Sequence, residues 1–141
     1  MPHSYQPNDS QRMLPARPAR AELGLPDDAV VLCSFNQSYK VTPEMADTWA
    51  RILQAAPQAV LWQVNWADQA SANFVREMVQ RGVAAERLFF SPTASPAEHL
   101  ARLQCADLML DTWPCNAHTT ASDALWCGVP VLTVPGQSFA G

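Results

Sequence analysis

The stretch Leu108-Met109-Leu110-Asp111-Thr112-Trp113-Pro114-Cys115-Asn116-Ala117-His118-Thr119-Thr120-Ala121-Ser122-Asp123-Ala124-Leu125-Trp126 decides the fold. Its first three residues read as a buried strand, its middle as a polar turn, and residues 121–127 as an apolar helical segment. A strand that empties into a hydroxyl-rich helix start is where an α/β sheet usually holds an anion. The free N–H groups of the first helical turn, the positive end of the helix dipole and two adjacent Thr hydroxyls converge there. A phosphate fits such a spot, which points to a nucleotide or nucleotide-sugar ligand.

The same alternation runs outward from this stretch in both directions. Apolar segments at 29–35, 59–64, 87–90, 106–110 and 129–134 read as strands. Amphipathic segments at 43–55, 69–80 and 96–104, and one running from Thr120 to a stop at Gly128, read as helices. Thr42 and Ser95 stand at cap positions, Pro43 and Pro96 suit first turns, and Gly82 ends the second helix. Strands without polar alternation, separated by helices, predict a Rossmann-like α/β domain. It is a parallel sheet of about five strands with helices on both faces, closed by right-handed crossovers.

Residues 1–28 differ: Pro2, Pro7, Pro15, Pro18 and Pro26 mark an extension or linker of little regular structure, expected to drape over the domain or join it to something upstream. At the other end, residues 137–141 follow the fifth strand with no closing helix, which is expected of a truncated lobe.

Composition narrows the function classes. The 141 residues are 48% hydrophobic and 16% charged, the profile of a folded globular domain. A net charge of −4 with scattered basic residues argues against nucleic acid and against an anionic membrane surface. No apolar run reaches bilayer length, and no leading charged-then-apolar segment resembles a secretory signal. The four cysteines (Cys33, Cys105, Cys115 and Cys127) form no C-x-x-C pair and no zinc-spaced cluster, so a reducing, cytoplasmic setting without a bound metal is expected.

In an open parallel sheet, ligands bind beyond the carboxyl ends of the strands. Three polar loops meet that rule: Asn36-Gln37-Ser38-Tyr39-Lys40, then Ser91-Pro92-Thr93-Ala94-Ser95 followed by His99, and Asp111 to Asp123. Lys40, the only lysine, could bring a point charge to a phosphate or be a solvated loop lysine. Gln37 could bind a phosphate or sugar hydroxyl, or be a turn residue like Asn36. Thr120-Ala121-Ser122-Asp123 matches a capping box, yet Thr119 and Thr120 could equally hold a phosphate and Asp123 a ribose hydroxyl, with His118 adjoining. His99 could pack on a base, act as acid or base, or be structural. Trp49, Trp62 and Trp126 read as core. Walker-A, G-x-G-x-x-G and G-x-S-x-G signatures are absent, as are paired acids with catalytic spacing.

Taken together, Phe35-Asn36-Gln37-Ser38-Tyr39-Lys40-Val41-Thr42-Pro43, Ser91-Pro92-Thr93-Ala94 with Glu98-His99, and Asp111-Thr112 through Cys115-Asn116-Ala117-His118-Thr119-Thr120 to Asp123-Ala124-Leu125-Trp126 form an ordered set of motifs. With them the chain resembles the C-terminal catalytic lobe of protein O-linked N-acetylglucosamine transferases, in particular bacterial SPINDLY-like members. The opening His3-Ser4-Tyr5-Gln6-Pro7-Asn8-Asp9 is similar to those members too.

The resemblance implies part of a GT-B fold, with residues 29–141 as the UDP-sugar-binding lobe, usually behind tetratricopeptide repeats. It implies metal-independent, inverting transfer of N-acetylglucosamine from UDP-N-acetylglucosamine to Ser or Thr hydroxyls of an acceptor protein. Gln37 and Lys40 then face the diphosphate, with Lys40 stabilising the leaving UDP. Ala94 and His99 contact the uracil, Thr119 and Thr120 with His118 hold the phosphates, and Asp123 binds the ribose. Pro96 stands where some relatives carry a lysine beside the uridine.

With one lobe and a catalytic base lying outside this chain, the polypeptide alone is expected to bind UDP weakly, to transfer nothing, and to self-associate through its unpaired apolar face. Two other readings fit the residues: a non-catalytic Rossmann-like interaction module, and another GT-B UDP-sugar enzyme such as an epimerase.

Overall fold

The computed structural model describes residues 7–137. Five parallel strands alternate with four helices: β1 Val30–Ser34, α1 Pro43–Ala55, β2 Ala59–Val64, α2 Asp68–Gln80, β3 Leu88–Ser91, α3 Pro96–Leu103, β4 Leu108–Leu110, α4 Thr119–Trp126 and β5 Val131–Leu132. The sheet order is β3-β2-β1-β4-β5, with all four pairings parallel. The α/β architecture expected from the sequence is thus present, including the number of strands. The chain moves outward from β1 to β3, then returns to β4 on the other side of β1. That reversal leaves a crevice beyond the carboxyl ends of β1 and β4.

Both faces of the sheet are covered, and each strand divides its side chains between two cores. Leu32, Ala59, Leu61 and Leu110 pack with Met45, Trp49 and Leu53 of α1 and with Phe74 and Met78 of α2. Val31, Cys33, Val60, Trp62 and Met109 pack on the opposite side with Leu103 of α3 and Ala124 of α4. This two-sided burial explains why the strands carry continuous apolar runs. Trp49 and Trp62 are buried, as the sequence indicates. Trp126 is not core: it is 37% exposed on the outer side of α4.

Helix starts follow local chemistry. Thr42 Oγ1 accepts from Met45 N at 3.2 Å and Pro43 occupies the first turn of α1. Ser95 and Glu98 form a reciprocal capping box on α3. The Ser95 hydroxyl and backbone N–H that donate to Glu98 hold its carboxyl below the usual range. The capping-box alternative for Thr120–Asp123 does not form. Helix α4 begins one residue earlier, at Thr119, and its cap residue His118 makes no side-chain cap bond. Asp123 therefore lies more than a turn inside the helix, too far along to reach the cap.

Residues 7–28 lie against α3 and α4. A short 3-10 turn, Arg20–Leu23, is held by Arg20, which donates to the carbonyls of Cys105 and Ala29 and pairs with Asp107 at 2.8 Å. Gln104 donates to the Pro15 carbonyl at 2.8 Å, and Leu25 is buried in the second core. Among the described residues no helix is long and apolar enough to cross a membrane.

Two substitutions on α1 separate packing from capping. Leu53 is fully buried, so Leu53→Ala is expected to cost about 2–5 kcal/mol, whereas Thr42→Ala removes one cap bond and costs about 1 kcal/mol. Urea unfolding of both variants gives the comparison, and equal losses would contradict this division.

Candidate functional site

The loop after β4 is built around one carboxylate. Asp111 Oδ1 accepts from the backbone N–H of Thr112 at 2.8 Å and of Ala117 at 2.7 Å. Its Oδ2 accepts from Asn116 Nδ2 at 2.9 Å and from Thr133 Oγ1 at 2.6 Å. Asn116 continues the network: Nδ2 also donates to the carbonyls of Thr112 and Val134, and Oδ1 accepts from Gly136 N at 2.8 Å. Both side chains are buried. A turn that would otherwise be a loose connection is thus tied to the segment following β5, and it delivers His118 and Thr119 to the crevice as the start of α4.

The loop after β1 meets this one. Lys40 Nζ, half-buried at the end of a 3-10 turn, donates to the Asn116 carbonyl at 3.0 Å. Thr120 Oγ1 donates to Asn36 Oδ1 at 2.9 Å, and the Asn36 carbonyl accepts from Trp66 Nε1 at 3.0 Å. Asn36 is buried and its Nδ2 has no partner among the described residues. Gln37 lies exposed just before the turn that carries Lys40.

The third loop is fixed from below. Ser91 Oγ accepts from Trp62 Nε1 at 2.8 Å, and Arg102 donates to the Pro92 carbonyl at 2.5 Å, leaving Ala94 exposed on top. In the first turn of α3, His99 lies edge-on to Phe35 at 5.2 Å, and its Nε2 stands 3.9 Å from Asp123 Oδ2. Burial, and then the neighbouring Arg102 guanidinium, push the His99 pKa down against the pull of Asp123. At neutral pH the imidazole is therefore uncharged, and its contact with Asp123 is not an ion pair.

Lys40, His99, Thr120 and Asp123 are thus linked through contacts between the loops and helix starts that follow β1, β3 and β4, with His118 and Thr119 at the same helix start. Sequence reasoning missed Arg12, whose guanidinium pairs with Asp123 at 2.5 Å from 111 residues away. It also missed the supporting roles of Asp111, Asn116 and Arg102. Asp111 and Asn116 carried a signal, being Asx residues that bracket a turn. Arg12 carried none.

An apolar hollow of about 290 Å³ lies between α1 and the ends of β4 and β5, and it includes none of the predicted site residues. Among the described residues no group of three His, Cys, Asp or Glu side chains is clustered as metal ligands would be.

Comparison with known proteins places this geometry in context. The sequence model of glycosyl transferase family 41 matches residues 8–141. The chain belongs to that family. It is 43% identical over 122 residues to a UDP-N-acetylglucosamine–peptide N-acetylglucosaminyltransferase of Caenorhabditis elegans, covering 86% of this chain and 11% of the relative. It is 37% identical over 146 residues to the probable enzyme of the same description, SEC, of Arabidopsis thaliana, covering 99% of this chain and 15% of the relative. The chain therefore spans only about a tenth to a seventh of these relatives. A solved mutant of the Thermobaculum terrenum O-GlcNAc transferase superposes with a TM-score of 0.81 at 34% identity, covering 95% of this chain and 25% of that one.

Two outcomes test the site's construction. Asp111→Ala leaves two backbone donors, the Asn116 amide and the Thr133 hydroxyl without their acceptor, and is expected to cost at least about 3 kcal/mol in denaturant unfolding. A loss below about 1 kcal/mol would remove Asp111 from its central place. Because the folded His99 pKa is lowered, its neutral form contributes stability above about pH 6.5, the ordinary histidine value. That contribution is lost as pH falls from there through the folded value. Melting curves should show the wild-type chain losing more stability than His99→Gln on acidification below about pH 6.5, and parallel profiles would refute the assignment.

Proposed function

We propose that the chain is the donor-binding portion of an inverting protein O-N-acetylglucosamine transferase, part of the C-terminal lobe of a GT-B enzyme. The observation that carries this reading is the joining of the β1 and β4 loops at the reversal of the sheet. There Lys40 and the start of α4 face one crevice in a chain of family 41. Relatives described as UDP-N-acetylglucosamine–peptide transferases support the donor and the protein acceptor.

In the proposed reaction a Ser or Thr hydroxyl oxygen of the acceptor attacks the anomeric carbon of UDP-N-acetylglucosamine. The bond from that carbon to the diphosphate oxygen breaks on the opposite face, and UDP leaves with the electron pair. The base that takes the hydroxyl proton is assigned outside this chain.

Lys40 keeps two of its three N–H donors for the diphosphate while the third holds the Asn116 carbonyl. Together with the backbone N–H groups at Thr119 and Thr120 it neutralises the charge developing on the leaving group, without a metal. Gln37 adds a hydrogen bond from the β1 loop, and His118 adjoins the phosphates. The neutral His99 and the backbone at Ala94 form the uracil subsite, and Asp123 accepts from the ribose. Self-association through the apolar face that the missing lobe would cover, and a cytoplasmic setting, belong to the same reading.

Titration of the chain with UDP and with UMP, followed by NMR, tests the site. Shifts confined to the neighbourhood of Lys40, His99 and residues 119–123, larger for UDP, are expected, and no shift at millimolar UDP would sink the reading. In the complete transferase, Lys40→Ala is expected to lower turnover by more than roughly a hundredfold. Undiminished turnover would remove Lys40 from leaving-group stabilisation.

A further inference from the structure

Arg12 comes from a segment without regular structure, yet its guanidinium sits on a residue assigned to the donor. Nη1 donates to Asp123 Oδ1 at 2.5 Å, the two side chains being 26% and 12% exposed. The cation also lies 5.4 Å from the ring centroid of Trp126, so the outer side of α4 grips it through both a carboxylate and an aromatic face. Most exposed ion pairs contribute little, but this one is largely shielded and fixes a carboxylate whose geometry matters.

Occupation of Oδ1 turns Asp123 so that Oδ2 points toward His99, 3.9 Å away, where it accepts no hydrogen bond among the described residues. One carboxylate oxygen is thereby committed and the other faces His99 with no hydrogen-bond donor on it among the described residues. A carboxylate accepts several hydrogen bonds, so the pair with Arg12 leaves room for a hydroxyl. Without Arg12, Asp123 would be a buried acid with only a neutral imidazole beside it, free to rotate about its side-chain bonds.

Resting on the donor assignment above, we infer that Arg12 is a positioning residue: it orients Asp123 so that Oδ2 receives the ribose hydroxyls of a uridine diphosphate. The segment carrying Arg12 is then part of the donor site rather than a passive extension. The alternatives are that Arg12 only pins the segment to α4, or that it competes with the ribose for Asp123.

The test compares UDP with 2′,3′-dideoxy-UDP on the 141-residue chain by NMR titration, using wild type, Arg12→Met, Arg12→Lys and Asp123→Asn. Methionine keeps an apolar stem against Trp126 and removes the charge. Arg12→Met is expected to weaken UDP about tenfold, the scale of one charged hydrogen bond, while leaving the dideoxy compound unchanged. Preference for UDP over the dideoxy compound then vanishes, and Arg12→Lys restores part of it.

If Arg12→Met keeps the wild-type preference, because both ligands weaken together or neither does, the role is purely structural and the inference falls. If Arg12→Met binds UDP more tightly, Arg12 competes with the ribose and the inference falls as well. Loss of preference in Asp123→Asn but not in Arg12→Met overturns the Arg12 role and leaves the donor reading standing. Unchanged preference in Asp123→Asn, or no binding of UDP to the wild-type chain, overturns both.

Discussion

The Asp111 carboxylate is the constraint on which the rest of the site depends. It stands immediately after β4, at the point where the sheet reverses direction, and it must be buried because the loop folds back over it. A buried carboxylate is costly unless every lone pair is used, and here both oxygens take two donors each. Satisfying Asp111 forces Ala117 and Asn116 into fixed places, which sets where α4 begins. It also draws Thr133 and Gly136 in from the segment after β5. The Asn116 carbonyl is then presented to Lys40, so the cation's position follows from the same network.

The fold was legible because its determinants are local and repeated. Continuous apolar strands, helix caps at Thr42 and Ser95 and the glycine stop at Gly82 each declare themselves within a few residues. Strand ends were overestimated where apolar residues run past the last paired position. Residues 106–107 and 133–134 are apolar or adjoin apolar residues, but only Leu108–Leu110 and Val131–Leu132 pair in the sheet. Trp126 was misassigned because helical spacing places it one turn from Asp123 but does not tell which way that face points. Part of its aromatic surface is covered by Arg12 instead of by the core. The readings of His3 to Gln6 and of residues 138–141 lie outside the described residues.

The candidate site was legible in its parts but not in its connections. Lys40, His99 and Thr119 to Asp123 could be named from residue type and from the rule that parallel sheets bind ligands at strand ends. What pattern could not supply is the partner of each group. The Thr120–Asp123 spacing fits a capping box as well as a binding site, and the helix start at Thr119 decides against the cap. The hydroxyl of Thr120 turns instead to Asn36, 84 residues away. Pairings of that sequence separation follow from the sheet order, which no local motif encodes.

Electrostatics ties Arg12 and His99 to the proposed anion site. Asp123 stands four residues beyond Thr119, or about 6 Å along the helix axis at 1.5 Å per residue. Two unit charges at about that distance and an effective dielectric of 20 interact by about 3 kcal/mol, enough to cancel much of the benefit of a helix start to a phosphate. An unpaired Asp123 would therefore work against the binding proposed for Thr119 and Thr120. Pairing with Arg12 removes the net charge while leaving an oxygen free to accept. The neutral state of His99 completes the arrangement: an imidazolium there would compete with a ribose hydroxyl for Oδ2. A carboxylate can thus sit beside the proposed diphosphate subsite only because one neighbour is charged and the other is not.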